Sequence, residues 1–221
     1  MTNHAVQHNL TLMKKENIEK LFAVLSADNP EPKTELTYSS TFTLLVAVVL
    51  SAQATDIGVN KATPALFKAA DTPAKMAALG EAKIRDLVKT IGLYRTKAKN
   101  VARLSEILFA EHDSIVPNNR EDLEALPGVG RKTANVVLNE AFGEPTIAVD
   151  THIFRVSNRT GLAKGKTPVE VEKKLLKAVP DQWKRYAHHW LLLHGRYICK
   201  ARKPDCQVCG VADLCSFKGK A

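Results

Sequence analysis

Residues 126–138, LPGVGRKTANVVL, leave the backbone few options. Glu121 to Leu126 reads as a short helix that Pro127 ends, because proline cannot continue the hydrogen-bond ladder. Gly128 and Gly130 admit backbone angles closed to other residues and let a ligand come close to the main chain. Thr133, Ala134, Val136, Val137 and Leu138 then start a second helix whose apolar side packs inward. The new helix offers free N–H groups and the positive end of its dipole, which suits an anion such as phosphate. Arg131 and Lys132 add charge at the same place. The same residues also fit a plain turn between two helices. A dinucleotide fingerprint is excluded, since no strand precedes the turn and a further glycine is missing. A phosphate loop of the Walker type is excluded by the spacing of Lys132 from Gly130.

Helical spacing recurs along the chain. Ile18, Leu21, Phe22 and Leu25 share a face, as do Val101, Leu104, Ile107 and Leu108, and Val171, Leu175, Leu176 and Val179. Thr167-Pro168-Val169-Glu170 is a helix start with a threonine cap, a proline in the first turn and a glutamate three residues after the cap. Thr72-Pro73 is a second such start. Phe42 to Leu50 has valines that favour a strand locally, yet the chain offers no partner strands. A buried helix capped by Ser39 or Ser40 is therefore expected.

The charge balance narrows the partner. Thirty-two Lys and Arg stand against 23 Asp and Glu, for a net charge of +9. This favours a polyanion, nucleic acid before acidic membrane. The excess gathers in two places. Residues 83–103 carry Lys83, Arg85, Lys89, Arg95, Lys97, Lys99 and Arg103 against Asp86 alone. Residues 195–221 carry Arg196, Lys200, Arg202, Lys203, Lys218 and Lys220 against Asp205 and Asp213. Such runs are also what an ordinary solvated face looks like. Residues 1–17 are polar and lack the apolar core of a signal peptide. The longest apolar run, Leu44 to Leu50, falls far short of the ~20 residues that span a bilayer. A soluble, intracellular protein without a membrane partner is expected.

All four cysteines lie near the end of the chain, as Cys199, Cys206, Cys209 and Cys215 in a C-x6-C-x2-C-x5-C pattern. Clustered cysteines in a protein of the reducing compartment point to a metal centre before disulfides. Zinc or a [4Fe–4S] cluster would accept four thiolates. Structural zinc usually uses two Cys-x-x-Cys knuckles, and one is present.

Together these segments resemble the endonuclease III family of DNA glycosylases. The helix-hairpin-helix of Leu126 to Asp150, Leu50-Ser51-Ala52-Gln53-Ala54-Thr55-Asp56, Ile91-Gly92-Leu93-Tyr94, the run Val149 to Val156 and the cysteine pattern occur in that family's order, across most of residues 13–217. The resemblance implies an all-α, two-lobed fold. A central six-helix lobe would span 33–143, and residues 1–32 with 144–221 would form the second lobe. Lys132 and Asp150 would then line opposite walls of the cleft between lobes. It implies a [4Fe–4S] cluster on the four cysteines. It also implies base excision repair on double-stranded DNA that contains damaged bases or abasic sites. In that reading Lys132 is the amine nucleophile of a bifunctional glycosylase and lyase for oxidised pyrimidines, and Asp150 is its acid–base partner. Gln53 and Leu93 enter the duplex. Gly128, Val129, Gly130 and Arg131 hold phosphates, as do Lys200, Arg202 and Lys203 on the loop between cluster ligands. A monomer in the cytoplasm, associated with the nucleoid, is expected.

Taken without the resemblance, Lys132 fits a phosphate-binding lysine and Asp150 a helix N-cap. Gln53 fits a helix-end amide, Leu93 a core residue, and His152 a hydrogen-bonded structural histidine. Ser51 and Asp56 are further candidates for lining a base pocket. Two other functions compete. The adenine-mismatch branch of the superfamily lacks the lysine at the Lys132 position and carries an extra C-terminal domain. A non-catalytic DNA-binding or electron-transfer protein would not need the Lys132 and Asp150 pair.

Overall fold

The computed structural model describes residues 12–220, so residues 1–11 of the polar segment read as lacking a signal core lie outside the described residues. Ten α-helices and two short 3-10 turns make up the order α1 (Lys15–Asp28), α2 (Thr41–Ser51), α3 (Asp56–Ala69), α4 (Pro73–Leu87), α5 (Tyr94–Glu111), α6 (Arg120–Ala125), α7 (Arg131–Phe142), α8 (Thr151–Thr160), α9 (Pro168–Ala178) and α10 (Asp181–Tyr197). No strand occurs among the described residues, as the all-α expectation requires. None of these helices is long and apolar enough to cross a membrane.

The chain divides into two units. One is continuous, Lys33–Ala148, and holds α2 to α7; the other joins Met1–Pro32 to Val149–Ala221 and is split in sequence. The boundary after Ala148 lies five residues beyond the expected one at Gly143.

In the continuous unit α2 is the centre. Every residue from Phe42 to Leu50 is buried, as a helix apolar on all sides must be. Ser40 starts it with a capping box. Its hydroxyl accepts from the Thr43 N–H at 3.2 Å, and the Thr43 hydroxyl accepts from the Ser40 N–H at 2.8 Å. The valines that favoured a strand locally are overruled because this cap and burial against α3, α5 and α7 act together. Within α4, Gly80 has φ 75° and kinks the helix.

The split unit packs α1 and α8 against α10. Phe22 stacks on Trp183, and Trp190 meets both rings. The indole N–H of Trp183 donates to Glu19 at 2.6 Å, and that of Trp190 to the Asn29 carbonyl at 2.7 Å. These bonds satisfy the polar edge of the half-buried Trp183 and the buried Trp190. Gly195 on α10 allows close approach of α8, since a Cβ there would lie 2.8 Å from the His152 Cβ.

Two substitutions at α2 test its central place. Leu45 is fully buried, and Leu45→Ala should cost about 2–5 kcal/mol in urea unfolding. Ser40→Ala should cost about 1 kcal/mol by loss of the cap.

Candidate active site and cysteine centre

The α6–α7 hairpin is built on two apolar pins. Leu126 and Val129 are 2% and 5% exposed, and the Val129 N–H donates to the Leu126 carbonyl at 3.1 Å. The Val129 side chain and N–H are thus both spent within the hairpin. The two glycines differ. Gly128 has φ 80°, and a Cβ there would meet the Asn100 side chain at 2.8 Å. Gly130 has φ −98° and ψ 177°, an extended backbone open to any residue, so it needs no glycine for conformation. A Cβ at Gly130 would meet nothing within 4 Å. Its lack of a side chain keeps the space in front of the helix start clear.

That start has no side-chain cap. In the continuous unit Ser40, Thr55, Thr72 and Asn119 each cap their own helix with a side-chain oxygen. The two helices there without such a cap are α7, after Gly130, and α5, after Leu93. No N-cap side chain thus closes the start of α7, a place that suits an anion. Lys132 is exposed in this first turn, while Thr133 and Ala134 beside it are buried.

A polar lattice missed by the sequence reading braces the far side of α7. The buried Asn135 accepts from Arg120 Nε at 3.1 Å through Oδ1, and its carbonyl accepts from the Thr146 hydroxyl. Asn139 donates to the carbonyls of Glu144 and Thr146 at 2.9 and 3.2 Å. These bonds tie α6 and the segment after α7 to α7 itself. Two asparagines four residues apart, on a face otherwise apolar, were the available signal.

Leu93 and Gln53 both occupy left-handed backbone, with φ 57° and 54°. Such angles are strained for residues with a Cβ. Leu93 is 61% exposed, which rules out its reading as core, and Gln53 is exposed too. The two turns are neighbours: a Cβ on Gly92 would lie 3.8 Å from the Gln53 carbonyl. The basic run at 83–103 is less uniform than its charges suggested. Lys97 is 5% exposed and turns into the unit, because its position on α5 shares the face of Val101, Leu104 and Leu108.

In the split unit Asp150 caps α8. Its Oδ1 accepts from the N–H groups of His152 and Ile153, both at 2.9 Å, and Oδ2 pairs with His152 Nδ1 at 2.8 Å. The carboxylate is only 13% exposed. His152 is thus the hydrogen-bonded histidine that was expected, and its partner is Asp150.

The other end of α8 meets the cysteines through two arginines, a further feature the sequence reading did not single out. Arg155 donates to the carbonyls of Cys199 and Gly195 at 2.9 and 2.7 Å. Arg159 reaches the Cys199 sulfur at 3.5 Å and the carbonyls of Lys200 and Ala201 at 2.7 and 2.8 Å. Lys200 pairs with Asp205 at 2.7 Å, and Arg202 and Lys203 stand exposed.

None of the four cysteines forms a disulfide, and all four line one cavity. Burial pushes the Cys209 and Cys215 thiols up from the usual range. The His194 Nε2 lies 3.8 Å from the Cys209 sulfur. A [4Fe–4S] cluster takes four cysteine thiolates, and the four that line this cavity supply that donor set.

Comparison with known proteins agrees with this geometry. Residues 46–181 match the HhH-GPD superfamily of base excision DNA repair proteins, and residues 199–215 match the iron–sulfur binding domain of endonuclease III. The chain is 57% identical to endonuclease III of Rickettsia conorii over 205 residues, covering 93% of this chain and 98% of that one. It is also 57% identical to endonuclease III of Escherichia coli K12 over 208 residues, covering 94% and 99%. Among solved structures, a trapped endonuclease III–DNA covalent intermediate superposes with a TM-score of 0.86 at 42% identity, covering 92% of this chain and 96% of that one. A hairpin with an open helix start, and four thiols around one cavity, are thus found in a chain that belongs to the endonuclease III family of HhH-GPD base excision repair proteins and carries its [4Fe–4S] domain.

Proposed function

We propose that Lys132 is the nucleophile and Asp150 the acid–base partner in excising oxidised pyrimidines from duplex DNA and nicking the strand at the abasic site. The chain is a base excision repair enzyme, a bifunctional DNA glycosylase and lyase, as its family membership establishes. The observation that carries the residue assignment is the uncapped start of α7 with Lys132 exposed in its first turn.

The steps follow from the chemistry of an amine at the sugar. The Lys132 Nζ lone pair attacks C1′, the bond from C1′ to the base breaks, and the base leaves with a proton. The C1′–O4′ bond then opens, O4′ takes a proton, and Nζ loses one to give an imine at C1′. The imine acidifies the C2′ hydrogen, and removal of that proton expels the 3′ phosphate. Asp150 accepts and relays these protons and stabilises the positive charge that develops on the sugar. Its bonds to His152 and to the start of α8 hold the carboxylate in one orientation.

Reaching C1′ requires the nucleotide to leave the stack. Leu93 and Gln53 fill the vacancy. An exposed leucine on strained backbone has no structural use in the free protein, and a wedge uses both features. The hairpin from Gly128 to Arg131 holds phosphates through the N–H groups of its two glycines and the charge of Arg131, as do Arg202, Lys203 and, once released from Asp205, Lys200. Cys199, Cys206, Cys209 and Cys215 would hold the [4Fe–4S] cluster, which supplies structural cross-linking of this loop. The protein acts as a monomer in the cytoplasm, where it associates with the nucleoid.

Three measurements test this reading. Borohydride should trap native protein on an oligonucleotide containing one thymine glycol, and Lys132→Ala should give no adduct; an equal adduct from the variant rejects Lys132 as nucleophile. Gly130→Ala should leave the thermal midpoint unchanged yet weaken binding to abasic-site DNA about tenfold, the equivalent of one hydrogen bond to a charged group. Cys206→Ser should lose iron and acid-labile sulfide together, and zinc without sulfide in the native protein would refute the cluster.

A further inference from the structure

The continuous unit buries a charge that the mechanism above leaves unused. Lys97 is 5% exposed, and its Nζ is shielded from solvent without a hydrogen-bond partner among the described residues. Burial pushes its ammonium down from the usual lysine range. Helical side chains lean toward the N-terminus of their helix, so Lys97 runs back beneath the first turn of α5. That turn begins at Leu93, whose carbonyl accepts from the Lys97 N–H at 3.1 Å. The end of the helix is itself positive, so the ammonium loses water and meets like-signed dipoles. A methionine would fill the same volume without either cost.

Acceptors for this ammonium exist in the adjoining segment. α2 ends at Ser51, where the carbonyls of Val48, Val49 and Ser51 accept from the Ser51 hydroxyl and the N–H groups of Ala52 and Ala54 and keep their second lone pairs. The Gln53 turn follows directly, and its carbonyl is the atom next to Gly92. On the same α5 face, one turn further on, Asn100 abuts Gly128 of the hairpin. Lys97 therefore lies between the wedge turn and the helix that supports the phosphate grip.

We propose that Lys97 is a positioning residue for nucleotide extrusion: when Leu93 enters the duplex, the Lys97 ammonium takes the main-chain carbonyls at the end of α2 and in the Gln53 turn as acceptors, and so holds the two inserted side chains in register. The unpaired ammonium raises the energy of the free state, and pairing on insertion returns that energy to the extrusion step. The proposal rests on the wedge reading of Leu93 given above.

The test uses Lys97→Met, Leu93→Ala and the double variant on a duplex holding thymine glycol beside 2-aminopurine. Stopped-flow fluorescence follows unstacking, and thermal melting of the free holoprotein follows stability. Lys97→Met should melt at or above the native midpoint and slow the fluorescence rise about tenfold, as expected for losing one charge-assisted hydrogen bond. The double variant should be no slower than Leu93→Ala. A native rate in Lys97→Met with a slow Leu93→Ala overturns the role of Lys97 and spares the wedge. A native rate in Leu93→Ala overturns the wedge itself. A midpoint for Lys97→Met below the native one also overturns the proposal, because it shows that the ammonium already has its acceptors in the free protein.

Discussion

Burial of α2 on every side is the constraint on which the continuous unit depends. A helix with no polar face must be wrapped, and α3, α5 and α7 do the wrapping. Its end cannot be wrapped in the same way, because the chain must leave the core there. The departure at Ser51 to Thr55 is exposed at Ala52, Gln53 and Thr55 and left-handed at Gln53. The same packing presses the apolar sides of α5 and α7 inward and leaves their first turns at the surface. The segments of this unit assigned to DNA are thus those that a fully buried central helix forces outward.

Within that unit, helix starts fall into two kinds. Those closed by their own serine, threonine or asparagine have their orphan N–H groups satisfied and serve the fold. Those that begin at Leu93 and Gly130 lack such closure. Asp150, in the split unit, combines both kinds. It closes α8 with one oxygen and keeps the second on His152. A carboxylate with this double duty is hard to replace, since an asparagine would keep the cap while changing the chemistry.

The helices were largely readable from local pattern, because threonine–proline starts, the glycine turn and apolar spacing act over a few residues. Phe42 to Leu50 needed one inference beyond local preference, the absence of partner strands, and the structure agrees. What local pattern could not supply was the direction of individual polar side chains. Lys97 looked like its neighbours Arg95 and Lys99 in a list of charges, and only its place on the α5 core face separates them. Gly130 looked equivalent to Gly128, though one is needed for conformation and the other for clearance. Arg155 and Arg159 passed unnoticed because their partners are carbonyls and a sulfur some 40 residues away in sequence. The cysteine centre was readable in its ligands, while the choice of cluster over zinc came from the family pattern and then from the match to the family's iron–sulfur domain.

Both tryptophans of the chain, Trp183 and Trp190, sit on α10 against Phe22 of α1. Their emission therefore reports the environment of the split unit alone. The continuous unit, with Lys132 and the wedge turns, is silent in that signal. An equilibrium unfolding curve followed by indole fluorescence would record one half of the molecule, and comparison with far-ultraviolet circular dichroism would reveal whether the halves melt as a single cooperative body.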